Sequence, residues 1–323
     1  MTTSTERQSI QIGHSPDPDD AFMWYPLANF PDNSGPGGLS YTPKVDTGHY
    51  DFVHVLEDIQ SLNERSEQGE LEITALSIHQ YPFIADKYAL TSCGSSMGDG
   101  YGPMVVAPEN FDLVELFKGG ESKPGQASGQ TQGRKRIAIP GERTSAWLSL
   151  QLLLHEQGLQ GNAADAVDFE VVMFDEIIPR VLAGDFDAGL IIHEGQLTYA
   201  NDGLECVADL GKWWTGSRQL PLPLGGNAIR RDLGEKPMGH ISRILLDSIE
   251  YALNNREASV EYALNYARDM GAELADEFVG MYVNKWTLDY GQQGRAAVKQ
   301  LLTEATKAGI IPEHGEIDFV DPA

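Results

Sequence analysis

Four short stretches carry side chains whose types and spacing could do chemistry. His193 and Glu194 follow an apolar run, residues 188–192, that is flanked by Gly184 and Gly195. An imidazole at a strand end can accept a proton near neutral pH; it can equally do no more than bond a neighbouring loop carbonyl. Pro140-Gly141-Glu142-Arg143-Thr144-Ser145-Ala146 leads into an apolar helical stretch, residues 147–155. A glycine turn, hydroxyls and free N–H groups at a helix N-terminus form an anion site that a substrate carboxylate would fit. The plainer alternative is an ordinary helix capped by Thr144 or Ser145. Ser77 ends another predicted strand, where its hydroxyl could bond a carboxylate or a ketone. The fourth stretch, GHSPDPDD at 13–20, sets Ser15, Asp17, Asp19 and Asp20 on a loop stiffened by two prolines. Asp19 or Asp20 suits the N-cap of a helix starting near Ala21, and capping outweighs chemistry for these aspartates. A calcium loop would need a glycine and a terminal glutamate that are absent here, so no metal is expected.

Such groups need strands that present them at one edge. Residues 188–192 read as a strand buried on both faces. Before it, FDEIIPRVLA (174–183) has helical spacing, and Gly184 stands where a helix ends in a left-handed glycine. Further strands are predicted at 9–12, 52–56, 71–76, 103–107, 136–139, 167–172 and 204–210, and a helix at 57–65. The 52–76 unit should be a right-handed crossover between parallel strands. Residues 220–224 (LPLPL) with Gly225-Gly226-Asn227 read as a return crossing, and 239–309 as packing helices. Trp213 and Trp214 suit a pocket wall or a core. SCGSSMGDGYG at 92–102 has neither the lysine of a phosphate loop nor G-x-G-x-x-G spacing. Residues 118–135 are low in complexity and read as a surface insertion without a catalytic role.

Composition narrows the partners. A chain of 323 residues, 41% hydrophobic, suggests two domains with sizeable cores. A net charge of -25 opposes nucleic-acid binding and attachment to anionic membranes. Cys93 and Cys206 form no disulfide framework or metal spacing. The N-terminus lacks a basic and an apolar signal region, and no apolar run approaches the length of a membrane helix. The expectation is a cytoplasmic protein acting on a small molecule, with its oligomeric state undetermined. The element order predicts an α/β protein of two βα lobes, 1–106 plus 225–323 and 107–224, joined by two crossings with a cleft between them. That is the pattern of the type 2 periplasmic-binding-protein-like fold, whose closure can desolvate a ligand.

Several motifs together resemble the 1,4-dihydroxy-6-naphthoate synthase family of the futalosine route to menaquinone. Gly13-His14-Ser15-Pro16-Asp17-Pro18-Asp19-Asp20-Ala21-Phe22 is similar to its G-x-S-P-C-P-N-D-T-F opening. Leu56-Glu57-Asp58-Ile59-Gln60-Ser61-Leu62-Asn63 looks like L-E-D-x-x-x-L-N. The segment 98–107 resembles a glycine-rich stretch ending in G-P-L-V-V-A, and GLIIHE (189–194) and LPLPLGG (220–226) match closely. The resemblance covers most of the chain. It implies a cofactor-free lyase that cleaves cyclic dehypoxanthine futalosine to 1,4-dihydroxy-6-naphthoate. It puts the proton acceptor at His193 and substrate contacts at Ala75, Leu76, Ser77, Ser145 and Ala146. Ser15, Asp17, Asp19, Thr144 and Glu194 are further candidates to line the cleft. The chain departs from the pattern at Asp17 and Asp19 (cysteine and asparagine in the motif), Arg143 (histidine), Ser145 (threonine) and Gly195 (serine). Two rival readings are a non-catalytic solute-binding protein, which the apparent lack of a signal peptide opposes, and a related lyase or dehydratase acting on a carboxylated metabolite such as chorismate.

Overall fold

The computed structural model describes residues 7–118, 135–193, 195–267 and 271–323. The predicted insertion lies outside the described residues apart from its two ends, and so does Glu194. The chain divides into two compact units, one made of Met1–Met97, Gly225–Arg295 and Gly315–Ala323, the other of Gly98–Leu224 and Ala296–His314. Residues 98–106, placed by the sequence with the first lobe, thus fall in the second unit, because the strand Met104–Ala107 pairs within the second sheet. Residues 296–314 also belong to the second unit.

The first unit is built on the strands β1 (Gln8–His14), β2 (Tyr50–Leu56), β3 (Ile73–Ser77), β4 (Tyr88–Thr91) and β5 (Ser96–Gly98). The second contains β6 (Met104–Ala107), β7 (Arg136–Ile139), β8 (Asp168–Val171), β9 (Ala188–Ile191) and β10 (Glu205–Asp209). β11 (Leu222–Arg230) and β12 (Phe319–Val320) complete the first sheet, whose order is β12-β4-β11-β3-β1-β2, with β5 paired to β11 beside this path. β1, β2 and β3 are parallel, and β11 runs antiparallel to β3. The second sheet has the order β10-β6-β9-β7-β8; β7 is parallel to both β8 and β9. Among the described residues no helix is long and apolar enough to cross a membrane.

Apolar periodicity accounts for the core of the first unit. Ile10 and Ile12 alternate inward on β1. They share a cluster with Phe22 and Trp24 of the Pro18–Trp24 helix and with Ile241, Ile244, Leu245 and Ile249 of the Glu235–Asn254 helix. A smaller cluster of Leu62, Leu71 and Ala75 seats the Ile59–Gln68 helix. Asp58 caps that helix by accepting from the Gln60 and Ser61 amides, and Gly69, in the left-handed region, ends it.

In the second unit, Val106, Ala138, Ile191 and Phe186 cluster with Ile177 and Val181 of the Ile177–Leu182 helix. That helix ends in a Schellman motif: the Gly184 amide donates to the Val181 carbonyl and the Asp185 amide to that of Arg180. Trp213 and Trp214 lie on the Leu210–Arg218 helix, where Trp214 is buried and Trp213 half-buried. The Arg218 guanidinium stacks 4.5 Å and 4.7 Å from their rings and pairs with Glu156 and Glu304. The glycine-rich stretch is likewise a packing device. Gly102 sits 3.1 Å from the Gly211 backbone, measured from where its Cβ would stand, and a side chain at Gly211 would collide with the Tyr101 carbonyl.

Gly226 on β11 lies so close to the Tyr290 hydroxyl that a methyl group there would overlap it. That hydroxyl is buried and has no hydrogen-bond partner among the described residues. Gly226→Ala should therefore cost about 1–3 kcal/mol through overpacking. Adding Tyr290→Phe should restore part of the loss, because the colliding oxygen is removed together with a buried orphan polar group. Urea denaturation of the two variants and of wild type measures both effects; a double variant no more stable than Gly226→Ala would refute the assigned clash.

Candidate active site

Strand order decides which loops stand together. In the first unit β1 lies between β2 and β3. The chain leaves β1 toward β2, and leaves β3 toward β4 on the opposite side. The loops after β1 and β3 therefore diverge at a topological switch point, where open α/β sheets bind ligands beyond the carboxyl ends of their strands. The second unit repeats the device. The chain leaves β7 toward β8 and leaves β9 toward β10, so residues 140–144 and His193 flank its switch point. Ser15, Asp17 and Asp19 are thus brought to the same sheet edge as Ala75, Leu76 and Ser77. Within the other unit, Thr144, Ser145 and Ala146 share an edge with His193.

The opening loop differs from expectation in its capping. The helix begins at Pro18, with Asp17 at the N-cap, rather than near Ala21 with Asp19 or Asp20 as cap. Proline is suited to the first helical position because no N–H is needed there. Asp17 makes no capping bond with its side chain. Asp20 instead turns back, its Oδ2 accepting from the Ser15 amide at 2.8 Å and the Ser15 hydroxyl at 3.1 Å.

Ala75 and Leu76 are buried in β3, Leu76 completely. The pairing of β1 with β3 stops at Thr74, so the backbone of 75–77 has no strand partner on that side. Ser77 is gripped by a residue that sequence reasoning did not single out as a site residue. Asn63 Oδ1 accepts from the Ser77 amide at 2.9 Å, and Asn63 Nδ2 donates to Ser77 Oγ at 3.1 Å. Since its oxygen already accepts a hydrogen bond, the Ser77 hydroxyl is set to donate. Gln80 Nε2 steadies Asn63 by donating to its carbonyl at 3.0 Å. The signal was present in the sequence: an asparagine next to Leu62 on the inner face of an amphipathic helix must find partners when buried.

In the second unit Thr144 caps the Ser145–Glu156 helix, accepting from the Trp147 amide at 3.2 Å and donating to the Gly141 carbonyl at 2.8 Å. The Ser145 hydroxyl donates to the Leu224 carbonyl, which leaves it acceptor capacity but commits its proton. Ala146 is buried in the first turn, where helix amides have no intrahelical acceptor. His193 follows β9 in a left-handed backbone conformation, φ 54°. Such a conformation costs a non-glycine residue energy and is concentrated at functional sites. Its ring lies 4.6 Å from that of Phe174. The position of β9 itself depends on Gly189, since a Cβ there would stand 2.5 Å from Ile177 Cγ2.

A second feature that went unread in the sequence is a histidine pair at the end of β1. His14 Nε2 lies 2.9 Å from His54 Nδ1, and His14 Nδ1 lies 2.9 Å from the Ser15 carbonyl. Burial, then the His54 charge, lowers His14 to about 3, with the Ser15 carbonyl opposing. Burial lowers His54 to about 4, with the Leu27 carbonyl opposing. Both imidazoles are therefore neutral wherever the protein is folded at ordinary pH. Among the described residues no cluster of three or more His, Cys, Asp or Glu could hold a metal ion.

Two βα units with their binding loops at switch points define the periplasmic-binding-protein fold. The alkanesulfonate-binding protein of Xanthomonas axonopodis pv. citri, crystallised with MOPS, shares it with a TM-score of 0.63 at 12% identity, covering 97% of this chain and 98% of its own. The menaquinone biosynthesis family matches residues 10–307, and the chain belongs to that family. A 1,4-dihydroxy-6-naphthoate synthase of Streptomyces coelicolor is 33% identical over 307 residues, 95% of this chain and 96% of its own length. The synthase of the same name from Thermus thermophilus is 34% identical over 303 residues, 94% of this chain and 96% of its own. A crystal structure of a protein from Archaeoglobus fulgidus aligns with a TM-score of 0.76 at 41% identity, covering 94% of this chain and 98% of that one.

The histidine pair makes a signed prediction. Both imidazoles titrate lower in the folded state than the ordinary 6.5, so below that pH the unfolded chain binds protons that the folded chain refuses. Stability should fall as pH drops from about 6.5 toward 4, by up to about 1.4 kcal/mol per pH unit for each imidazole. Urea denaturation at pH 7, 6 and 5 should show a shallower decline for His14→Gln/His54→Gln than for wild type. An identical decline in both would refute the pair as its source.

Proposed function

We propose that this chain is a carbon–carbon lyase that converts cyclic dehypoxanthine futalosine to 1,4-dihydroxy-6-naphthoate in menaquinone synthesis, with His193 as proton acceptor. The observation that carries this reading is the placement of His193: a strained left-handed residue where β9 ends, at the switch point, beside the loop that opens the Ser145–Glu156 helix. The near full-length match to two synthases of that name supports the same substrate.

The roles of the remaining residues follow from their bonding. Ser77, held by Asn63 with its hydroxyl proton free to point outward, donates to a carbonyl or carboxylate oxygen of the substrate. The first-turn amides at Ser145 and Ala146 favour an anionic group through the helix dipole. His193 removes the proton whose loss precedes carbon–carbon cleavage. The left-handed backbone sets the direction in which the side chain leaves the chain, and the Phe174 ring packs beside the imidazole, so less ordering is needed during the reaction.

Two substitutions separate the imidazole from its backbone. Asparagine tolerates the left-handed region whereas alanine is strained there. His193→Asn should keep the wild-type melting temperature and lose turnover by about 100-fold or more, the scale of a general base. His193→Ala should lose turnover similarly and some stability as well. Incubation with cyclic dehypoxanthine futalosine, without added metal, followed by mass detection of dihydroxynaphthoate, provides the readout. Turnover by His193→Asn within a few fold of wild type would reject the assignment of the base.

A further inference from the structure

We propose that Gly225 determines ligand specificity: the bare backbone it leaves on β11, beside Ser77, is the surface on which a planar aromatic ring with a carbonyl or carboxylate oxygen lies. The chemical class of the ligand rests on the functional reading above; the open space at Gly225 does not.

A glycine inside a strand weakens it, and is kept where the backbone conformation, a packed neighbour or a ligand needs the side chain to be missing. Gly225 lies within β11. Its φ is outside the left-handed region, so the backbone would accept a side chain. No protein neighbour excludes one. A Cβ there would stand 3.5 Å from the Leu76 carbonyl oxygen and 3.8 Å from Ser96 Cβ, both ordinary contacts. The adjacent Gly226 is the opposite case, since its missing side chain makes room for the Tyr290 hydroxyl.

Alternation along β11 shows where the protein's own packing stops. Residues 225, 227 and 229 project to one face. Ile229 is fully buried in the core cluster that contains Ile73 and Trp24. Asn227 is buried, and its Nδ2 donates to the Gly94 carbonyl at 2.8 Å. A Cβ at Gly94 would stand 2.5 Å from that nitrogen, so the space around Asn227 is taken up by the loop after β4. One step nearer the carboxyl edge of β3 the filling ends, and Gly225 is only half-buried. Of the three reasons for a glycine, the ligand is the one left.

The surroundings give the chemistry. Register sets Gly225 directly opposite Ser77, and opposed residues of an antiparallel pair share a face about 5 Å apart. The Ser77 hydroxyl, gripped by Asn63, is set to donate. Ser96 of β5, also half-buried, borders the same space. A flat ring can rest its face on the bare peptide backbone at Gly225, and an oxygen at its rim then comes within reach of the Ser77 hydroxyl. A side chain at 225 would lift the ring from the strand and carry that oxygen out of hydrogen-bond range.

The test compares Gly225→Ala and Gly225→Val with wild type, using 1,4-dihydroxy-6-naphthoate as the probe in anaerobic titration calorimetry. Both free variants should melt no lower than wild type, because alanine restricts the unfolded chain and valine suits a strand. Affinity for the naphthoate should fall about tenfold with alanine and about a hundredfold with valine, the range that overpacking covers. Unchanged affinity in both variants would overturn the contact. A melting temperature that falls in step with affinity would assign Gly225 to packing, and equal weakening by alanine and valine would assign it to backbone freedom; either result overturns the proposal, as would a wild type that does not bind the naphthoate. Wild-type protein that binds the naphthoate with the predicted sensitivity at 225, yet does not turn over cyclic dehypoxanthine futalosine, would reject the lyase reading and leave the role of Gly225 standing.

Discussion

A parallel strand cannot follow its neighbour directly; the chain must first travel back over the sheet. That constraint shapes both units. Three parallel strands with a central first strand (β3-β1-β2 in one sheet, β9-β7-β8 in the other) require one crossover to each side of the centre. Two loops must then part company at the same strand edge, leaving backbone and side chains there without a covering connection. The residues with chemical potential, Ser15 and Ser77 in one unit and Thr144 and His193 in the other, stand on those parting loops. The remaining helices hold the sheets rigid enough for the loops to keep their places.

Much of this was legible in the sequence because the signals were local. The helix–glycine–strand order around Gly184 identified a glycine helix end and a buried strand, and with them the strand end that His193 follows. Thr144 was readable as a cap from the apolar stretch after it. The start of the opening helix was misread for an equally local reason: Pro18 fits the first helical position, which moved the cap back to Asp17. What remained hidden depended on register. His54 faces His14 because parallel pairing sets His54 opposite Ile12, two residues before His14 on the same face. Asn63 reaches Ser77 only through a helix-to-strand contact spanning 14 residues. No periodicity in either segment reports such a meeting.

Glycines show the same division between local and distant causes. Gly184 and Gly69 are needed for backbone conformation, which turn chemistry reveals. Gly189, Gly211 and Gly226 are needed because something else arrives: Ile177, the Tyr101 carbonyl and the Tyr290 hydroxyl. In a linear reading, the glycine-rich stretch before β6 and Gly226 look like loops. In the fold they are surfaces shaved to let another element approach, and two of these glycines belong to motifs that carry the family likeness.

The first unit is assembled from three separate stretches of chain. β11, which joins β3 to β4, lies far downstream of both, and β12, which closes the far edge, lies further downstream still. On a ribosome, β1, β2 and β3 are complete long before the strand and the Glu235–Asn254 helix that cover them have been made. Ile10, Ile12, Phe22 and Trp24 must wait uncovered while the whole of β6 to β10 is translated. Vectorial synthesis therefore leaves the apolar residues of β1 and the Pro18–Trp24 helix as a nascent segment that needs protection from aggregation until that cover is made.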